Sequence, residues 1–203
     1  GAGKTTLLGL ITGTVAPTGG RVIFNGQDVT NIAPEYRCRM GIARAFQVPQ
    51  PFGEMTVFEN LAVAAMFATK TTPKEAYRRC VEILDQCGLG PKANLAAGGL
   101  GLLDRKRLEL ARALATSPQL LLLDEVAGGL TDHECHALIE LIKNVHASGV
   151  SVVWIEHVVH ALRAVVNRIA VLYQGTFIAD GEPEAVIKSP TVAEIYMGME
   201  ADV

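Results

Sequence analysis

The sequence predicts an α/β fold with a mainly parallel sheet and an inserted helical subdomain. Short unbroken apolar runs, such as residues 120–123, are typical of central strands buried on both faces. Between such runs lie longer stretches with apolar residues at helical spacing, such as residues 104–116. Because strands and helices alternate along the chain, crossover connections and parallel strands are favoured. We expect the 203 residues to form a single domain, with the helical insertion at about residues 50–115.

In the first half of the chain, glycine and proline breaks separate the predicted elements. Asn25-Gly26 is a hairpin-type turn that ends a short strand. A cluster of Pro49, Pro51 and Gly53 interrupts the pattern before the helices of the insertion. The predicted helices are residues 5–12, 34–39, 56–68 and 73–87, and the predicted strands are residues 21–24 and 41–46.

In the second half, helix boundaries are marked by their own signals. Pro118 stops one helix, and Thr131 with Glu134 three residues later is a capping-box signal for another, which Gly149 ends. The predicted helices are residues 104–116, 131–146 and 157–166, with two short helices closing the chain. The predicted strands are residues 120–123, 150–155, 168–172 and 176–178.

The composition argues against several classes of protein. With 49% hydrophobic residues and 18 basic against 21 acidic residues, the chain is not disordered and has no basic excess for a nucleic-acid partner. No apolar run approaches the roughly 18 residues that a membrane-spanning helix needs. The scattered cysteines argue against a zinc site or a disulfide framework and predict free thiols in a reducing cytosol; they are Cys38, Cys80, Cys87 and Cys135.

The first six residues match the second half of a phosphate-binding loop, G-x-x-x-x-G-K-[ST]; they are Gly1, Ala2, Gly3, Lys4, Thr5 and Thr6. In such a loop, backbone N–H groups surround the β-phosphate of ATP and the lysine reaches the β- and γ-phosphates. The Thr5 hydroxyl would bind Mg²⁺. The alternative is an ordinary glycine-rich turn before a helix. Because the motif's first glycine is absent, we expect the chain to begin inside the motif.

Two adjacent carboxylates, Asp124 and Glu125, follow the apolar strand at residues 120–123. An ATPase with a phosphate-binding loop needs a carboxylate at the end of a neighbouring strand to hold the Mg²⁺ shell, and Asp124 is in that place. Glu125 is placed to polarise an attacking water. An acidic pair can also simply end a strand, but its combination with the loop favours hydrolysis of Mg²⁺-bound ATP.

Taken together, these motifs resemble the ATP-binding subunit of an ABC transporter over nearly the whole chain. Gln47, at the end of a strand, resembles the family's Q-loop glutamine, which senses Mg²⁺ or water. His157 resembles the switch histidine that contacts the γ-phosphate, and residues 128–131 occupy the place of the D-loop. The resemblance implies that Glu125, His157 and Gln47 are catalytic, and that Thr5, Gln47 and Asp124 bind Mg²⁺.

Within the family, the chain is most similar to the subgroup of branched-chain amino acid importers. The similar segments are residues 41–47, 107–114, 124–130, 180–183 and 196–198. The family signature, normally Leu-Ser-Gly-Gly-Gln, departs here in losing its serine and second glycine. In the register set by the helix that follows, it becomes Leu100, Gly101, Leu102, Leu103 and Asp104. A register shifted by four residues would instead use Gly98-Gly99, and both registers stay open.

The resemblance implies an ATP-hydrolysing subunit that powers an importer of amino acids or similar small polar solutes. It would lie peripherally on the cytoplasmic face of the inner membrane, as a homodimer or a heterodimer with another ATPase subunit. Its partners would be the membrane subunits and a solute-binding protein, with no nucleic acid. The alternatives are a non-hydrolysing regulatory subunit and a soluble ABC ATPase of DNA repair or translation. The surface that contacts the membrane subunits would lie near residues 47–61; the alternative is that the apolar residues of this segment simply pack the helical insertion.

Overall fold

The computed structural model describes residues 1–156 and 165–200. Two compact units are distinguished, one made of Gly1–Leu8 and the described part of Val158–Val203, the other of the described part of Gly9–His157. The predicted helix at residues 157–166 lies outside the described residues except for its last two positions.

The elements of the described residues follow the predicted alternation. The helices are α1 Lys4–Thr12, α2 Pro34–Arg39, α3 Val57–Ala68, α4 Pro73–Gln86, α5 Leu102–Ala115, α6 Asp132–Ala147, α7 Pro183–Ile187 and α8 Pro190–Glu200. The strands are β1 Ile23–Phe24, β2 Gln27–Asp28, β3 Ile42–Ala45, β4 Leu120–Asp124, β5 Ser151–Ile155, β6 Ile169–Tyr173 and β7 Thr176–Gly181.

A parallel sheet of order β3-β4-β5 lies at the centre of the larger unit. Strand β4 pairs in parallel with both neighbours, so all three strands run in the same direction. In this register, Leu120 lies opposite Ile42 on one side and Ser151 on the other. Leu121, Leu122 and Leu123 are fully buried, as the unbroken apolar run predicts. This parallel order brings the carboxyl ends of the three strands to one edge of the sheet.

Three helices of the insertion pack together, with α3 against both α4 and α5. Thr56 and Thr72 start α3 and α4 through complete capping boxes, each with a glutamate three residues later. The apolar residues around the start of α3 differ in their exposure to solvent. Val57 and Leu61 are completely buried, so they belong to the core, whereas Phe52 and Met55, in the preceding loop, are exposed. Val57 and Leu61 therefore have a packing role, whereas Phe52 and Met55 lie at the surface.

The glycine-rich loop of the smaller unit is followed by α1, and the chain returns to this unit as the antiparallel hairpin β6-β7. Gln174 and Gly175 form the turn between β6 and β7, with positive φ angles of 45° and 80° respectively. Strand β7 continues beyond the predicted residue 178, because the pairing extends to Ile169 with Gly181. Nowhere in residues 1–156 and 165–200 is a helix both long and apolar enough to span a membrane.

Candidate functional site

The glycine-rich residues at the start of the chain make the entry to α1. Gly3 has a φ of +94°, a conformation that glycine adopts without strain, and α1 begins at the next residue, Lys4. The Gly3 carbonyl accepts from the Leu7 N–H at 2.9 Å, and the Ala2 carbonyl accepts from the Gly175 N–H at 3.1 Å. Thr5 and Thr6 are exposed in the first turn of the helix. The N–H groups of such a turn lack intrahelical acceptors, which suits them to bind phosphate.

In the larger unit, four polar residues lie at or just after the carboxyl ends of the three parallel strands: Gln47, Asp124, Glu125 and Glu156. We call them the carboxyl edge. Asp124 is the last residue of β4 and is only 3% exposed. Its Oδ2 accepts from Nη2 of Arg44 on β3 at 2.6 Å, and the Arg44 guanidinium lies over the Phe46 ring. Within the described residues, the other oxygen, Oδ1, is buried without a hydrogen-bond partner.

Glu125 forms a turn directly after β4. Its φ of +48° is unusual for a residue with a side chain and indicates local strain that the surroundings must hold. The Glu125 N–H donates to the Ile155 carbonyl at 2.9 Å. The Glu125 carboxylate accepts from Nε2 of Gln47 at 2.5 Å, so the structure brings these two predicted residues together.

Two residues of this region were missed by the sequence analysis. Glu156 accepts from the Ala127 N–H at 2.8 Å and from the Trp154 indole N–H at 3.2 Å, which ties the end of β5 to the turn after β4. Lys106 of α5 is buried, and its ammonium faces the carbonyls of Gln47 and Glu125. Lys106 lies in a run of three basic residues, a pattern that is typical of a solvated surface. Its spacing of four residues from the buried Leu110 is the signal that places it on the inner face of α5.

The predicted signature segment opens α5. Gly101 is the N-cap residue and Leu102 the first helical residue, two positions earlier than the predicted start at Asp104. Asp104 pairs with Lys92 and lies 3.6 Å from Nη1 of Arg107. A Cβ atom added at Gly101 would meet no heavy atom within 4 Å, so this side of the segment is open.

The first glycine of the alternative diglycine, Gly98, has a packing role. The Gly98 N–H donates to the Gly53 carbonyl at 3.0 Å. A Cβ atom at Gly98 would lie only 3.2 Å from that carbonyl oxygen. Close backbone packing therefore accounts for glycine at this position.

Two parts of the predicted site are not among the residues of the carboxyl edge. Gly1, Ala2, Gly3, Lys4, Thr5 and Thr6 belong to the smaller unit. His157 lies outside the described residues. The structure thus brings Gln47, Asp124 and Glu125 to one place.

Comparisons with known proteins identify the class of this fold and site. A model of the ABC transporter family matches residues 1–128. The high-affinity branched-chain amino acid transport ATP-binding protein LivG of Escherichia coli K12 is 38% identical, over 98% of this chain and 84% of its own length. BraF of Pseudomonas aeruginosa, which has the same description, is 35% identical, again over 98% and 84% of the two chains.

A solved structure is also similar over nearly the whole chain. It is the ADP conformation of an ATP-binding cassette of an ABC transporter, with a TM-score of 0.86 at 33% identity. The match covers 97% of this chain and 84% of that one. The chain therefore belongs to the ABC transporter family and has the fold of its ATP-binding cassettes. Within that family it is the ATPase subunit.

Substitutions at Arg44 and Asp124 test the ion pair at the end of β4. Arg44→Met and Asp124→Asn should each lower the free energy of unfolding by about 3 kcal/mol, because each leaves a buried charge unpaired. The double variant should lose at least about 1 kcal/mol less than the sum. Urea unfolding of the four proteins measures this coupling.

The exposed pair of Glu140 and Lys143 on α6, with Nζ and Oε1 2.8 Å apart, provides the matched control. The same cycle there, with Glu140→Gln and Lys143→Met, should give a coupling below about 0.5 kcal/mol. Additive losses at Arg44 and Asp124 would contradict the importance of their ion pair.

Proposed function

We propose that this ATPase subunit hydrolyses Mg²⁺-bound ATP at the carboxyl edge and thereby drives import of branched-chain amino acids. The observation that carries the proposal is the 2.5 Å hydrogen bond between Gln47 and Glu125, directly beside the buried Asp124. It joins an amide and a carboxylate, the groups needed to orient and deprotonate a water. The names of LivG and BraF support the class of solute.

In the proposed mechanism, the start of α1 binds the phosphates of ATP. Backbone N–H groups of the glycine-rich residues 1–6 face the phosphates, and the Lys4 ammonium neutralises their charge. A positive charge placed before the reaction stabilises the charge that develops on the transferred phosphoryl group. Lys4 therefore contributes to hydrolysis as well as to binding.

The residues assigned to Mg²⁺ fit this ion. Thr5, Asp124 and Gln47 offer hydroxyl, carboxylate and amide oxygens, the hard ligands that Mg²⁺ prefers. The Asp124 Oδ1 atom, buried and unpartnered in the described chain, is the acceptor left for the ion or one of its waters. When bound, Mg²⁺ would neutralise phosphate charge.

Glu125 is the proposed general base. Its carboxylate takes a proton from the attacking water, and the Gln47 amide holds that carboxylate in place. His157 would contact the γ-phosphate as the family's switch histidine. The strained turn at Glu125 is consistent with a functional position, since such strain persists where the surrounding structure supports it.

The proposed assembly has two ATPase subunits, identical or different, on the cytoplasmic face of the inner membrane. They would bind the membrane subunits of the importer, which receives its solute from a solute-binding protein. In this arrangement Leu100, Gly101, Leu102, Leu103 and Asp104 of one subunit face the nucleotide of the other. Backbone N–H groups at the start of α5 bind phosphate even without the usual serine.

A non-hydrolysing regulatory subunit is the second candidate function. The two leucines at positions 102 and 103 of the signature segment favour it, because they replace residues that usually approach the nucleotide. The contact between Gln47 and Glu125 favours hydrolysis instead, since a subunit that only binds ATP has no need of a base. Turnover of ATP by the purified protein distinguishes the two functions.

Replacing the proposed base tests the mechanism. Glu125→Gln should keep ATP bound but reduce its hydrolysis at least about 100-fold, because an amide cannot take a proton from water. Phosphate release and equilibrium binding of ATP measure the two effects separately. Glu140→Gln, the same change at an exposed position of α6, is the control. Hydrolysis by Glu125→Gln at the parent rate would contradict the role of Glu125.

Uptake by cells tests the proposed solute. Deleting the gene for this chain should abolish high-affinity uptake of radiolabelled leucine, isoleucine and valine, and the parent gene should restore it. A gene carrying Lys4→Ala should not restore this uptake, because the variant lacks the cation that stabilises the transferred phosphoryl group. Uptake of a basic amino acid is the control and should not change. Undiminished uptake of leucine in the deletion strain would contradict the assignment of the solute.

A further inference from the structure

The buried lysine of α5 joins two strand ends of the carboxyl edge. Lys106 is only 6% exposed. Its Nζ donates to the Gln47 carbonyl at 3.3 Å and to the Glu125 carbonyl at 3.5 Å. The first carbonyl follows β3 and the second follows β4. One ammonium group therefore connects the backbone at both residues whose side chains meet in the proposed hydrolytic site.

The charges around Lys106 explain how its ammonium is kept there. Burial lowers the pKa of Lys106, and the nearby Glu156 and Glu125 carboxylates oppose that shift. The two carbonyls supply acceptors for two of its three N–H bonds. The side chain is thus a buried cation with both hydrogen-bond acceptors and neighbouring acids.

The same face of α5 holds the rest of the loop after β3. Glu109, three residues after Lys106, accepts from the Phe46 N–H at 3.5 Å. Arg112, three residues further on, donates to the Gln50 carbonyl at 3.0 Å and lies over the Phe52 ring. Residues spaced by three lie on one face of a helix. Of these contacts, only that of Lys106 also reaches the Glu125 turn.

We propose that Lys106 is a positioning residue for ATP hydrolysis, which holds the backbones of Gln47 and Glu125 together so that their side chains meet. This inference rests on the proposed role of Glu125 as the base. Lys106 acts through these two residues, since its ammonium bonds to their carbonyls. Two features require such a support: the positive φ of Glu125 and the short contact between the Gln47 amide and the Glu125 carboxylate.

Lys106→Met tests the proposal, because methionine keeps most of the apolar stem and removes every donor. We expect kcat for ATP hydrolysis to fall about tenfold or more, the effect of misplacing a catalytic group. The Kd for ATP, measured in the Glu125→Gln background where turnover is blocked, should change less than about twofold. Lys106→Arg should recover part of kcat, because a guanidinium also donates to carbonyls.

Two further measurements separate positioning from folding. Lys143→Met, the same change on the solvent-facing side of α6, should leave kcat unchanged. The fluorescence of Trp154, the single tryptophan of the chain, follows unfolding and shows whether each variant is folded. If Lys106→Met does not fold, Lys106→Gln takes its place, with one amide as donor. We then expect kcat to decrease in the order lysine, arginine, glutamine while Kd stays constant.

The possible failures are distinguishable. Unchanged kcat in the folded Lys106 variants, together with inactive Glu125→Gln, would overturn this inference and leave the proposed function intact. Equal loss of kcat and ATP affinity would also overturn it, since the lysine would then support the binding fold in general. Parent-rate hydrolysis by Glu125→Gln would instead overturn the proposed function itself.

Discussion

The run of leucines in β4 passes through the centre of a buried sheet, and two carboxylates, Asp124 and Glu125, follow where that strand ends. A charge buried without a partner destabilises a protein by several kcal/mol, so neighbouring elements must compensate it. Strand β3 supplies the Arg44 guanidinium to the buried Asp124, whereas the half-exposed Glu125 accepts from the Gln47 amide of the loop that follows β3. The buried charge of Asp124 therefore accounts for the basic residue in β3.

Helix α5 connects two parts of the molecule that the proposed mechanism uses. It starts at the signature segment, at Gly101, and one turn later its Lys106 reaches the carboxyl edge. A helix is a rigid connection over such a distance. A shift at the start of α5 would therefore reach the contacts that Lys106 makes with Gln47 and Glu125. In the proposed dimer, this gives the nucleotide of one subunit a short physical route to the hydrolytic residues of the other.

The parts of the fold that depend on local chemistry could be predicted from the sequence. The leucine run predicted strand β4, and the capping-box pair of Thr131 and Glu134 predicted the start of α6 to within one residue. The adjacent carboxylates were recognised from their place after an apolar strand, and Gln47 was recognised from its resemblance to the family's Q-loop glutamine. Lys106 was not recognised, since its burial depends on contacts with Gln47 and Glu125, which lie 59 and 19 positions away in the chain. A charged residue inside an apolar strand, Arg44, was the unused signal for the partner of Asp124.

The dependence of ATP hydrolysis on Mg²⁺ tests the central claim, that the carboxyl edge around the buried Asp124 is a site of metal-dependent ATP hydrolysis. The rate of phosphate release should be measured over a range of free Mg²⁺ concentrations for the parent protein and for Asp124→Asn. The account predicts no turnover without Mg²⁺, and a half-maximal Mg²⁺ concentration at least about tenfold higher in Asp124→Asn, because one charged ligand is lost. Hydrolysis without Mg²⁺, or the same Mg²⁺ dependence in both proteins, would contradict it.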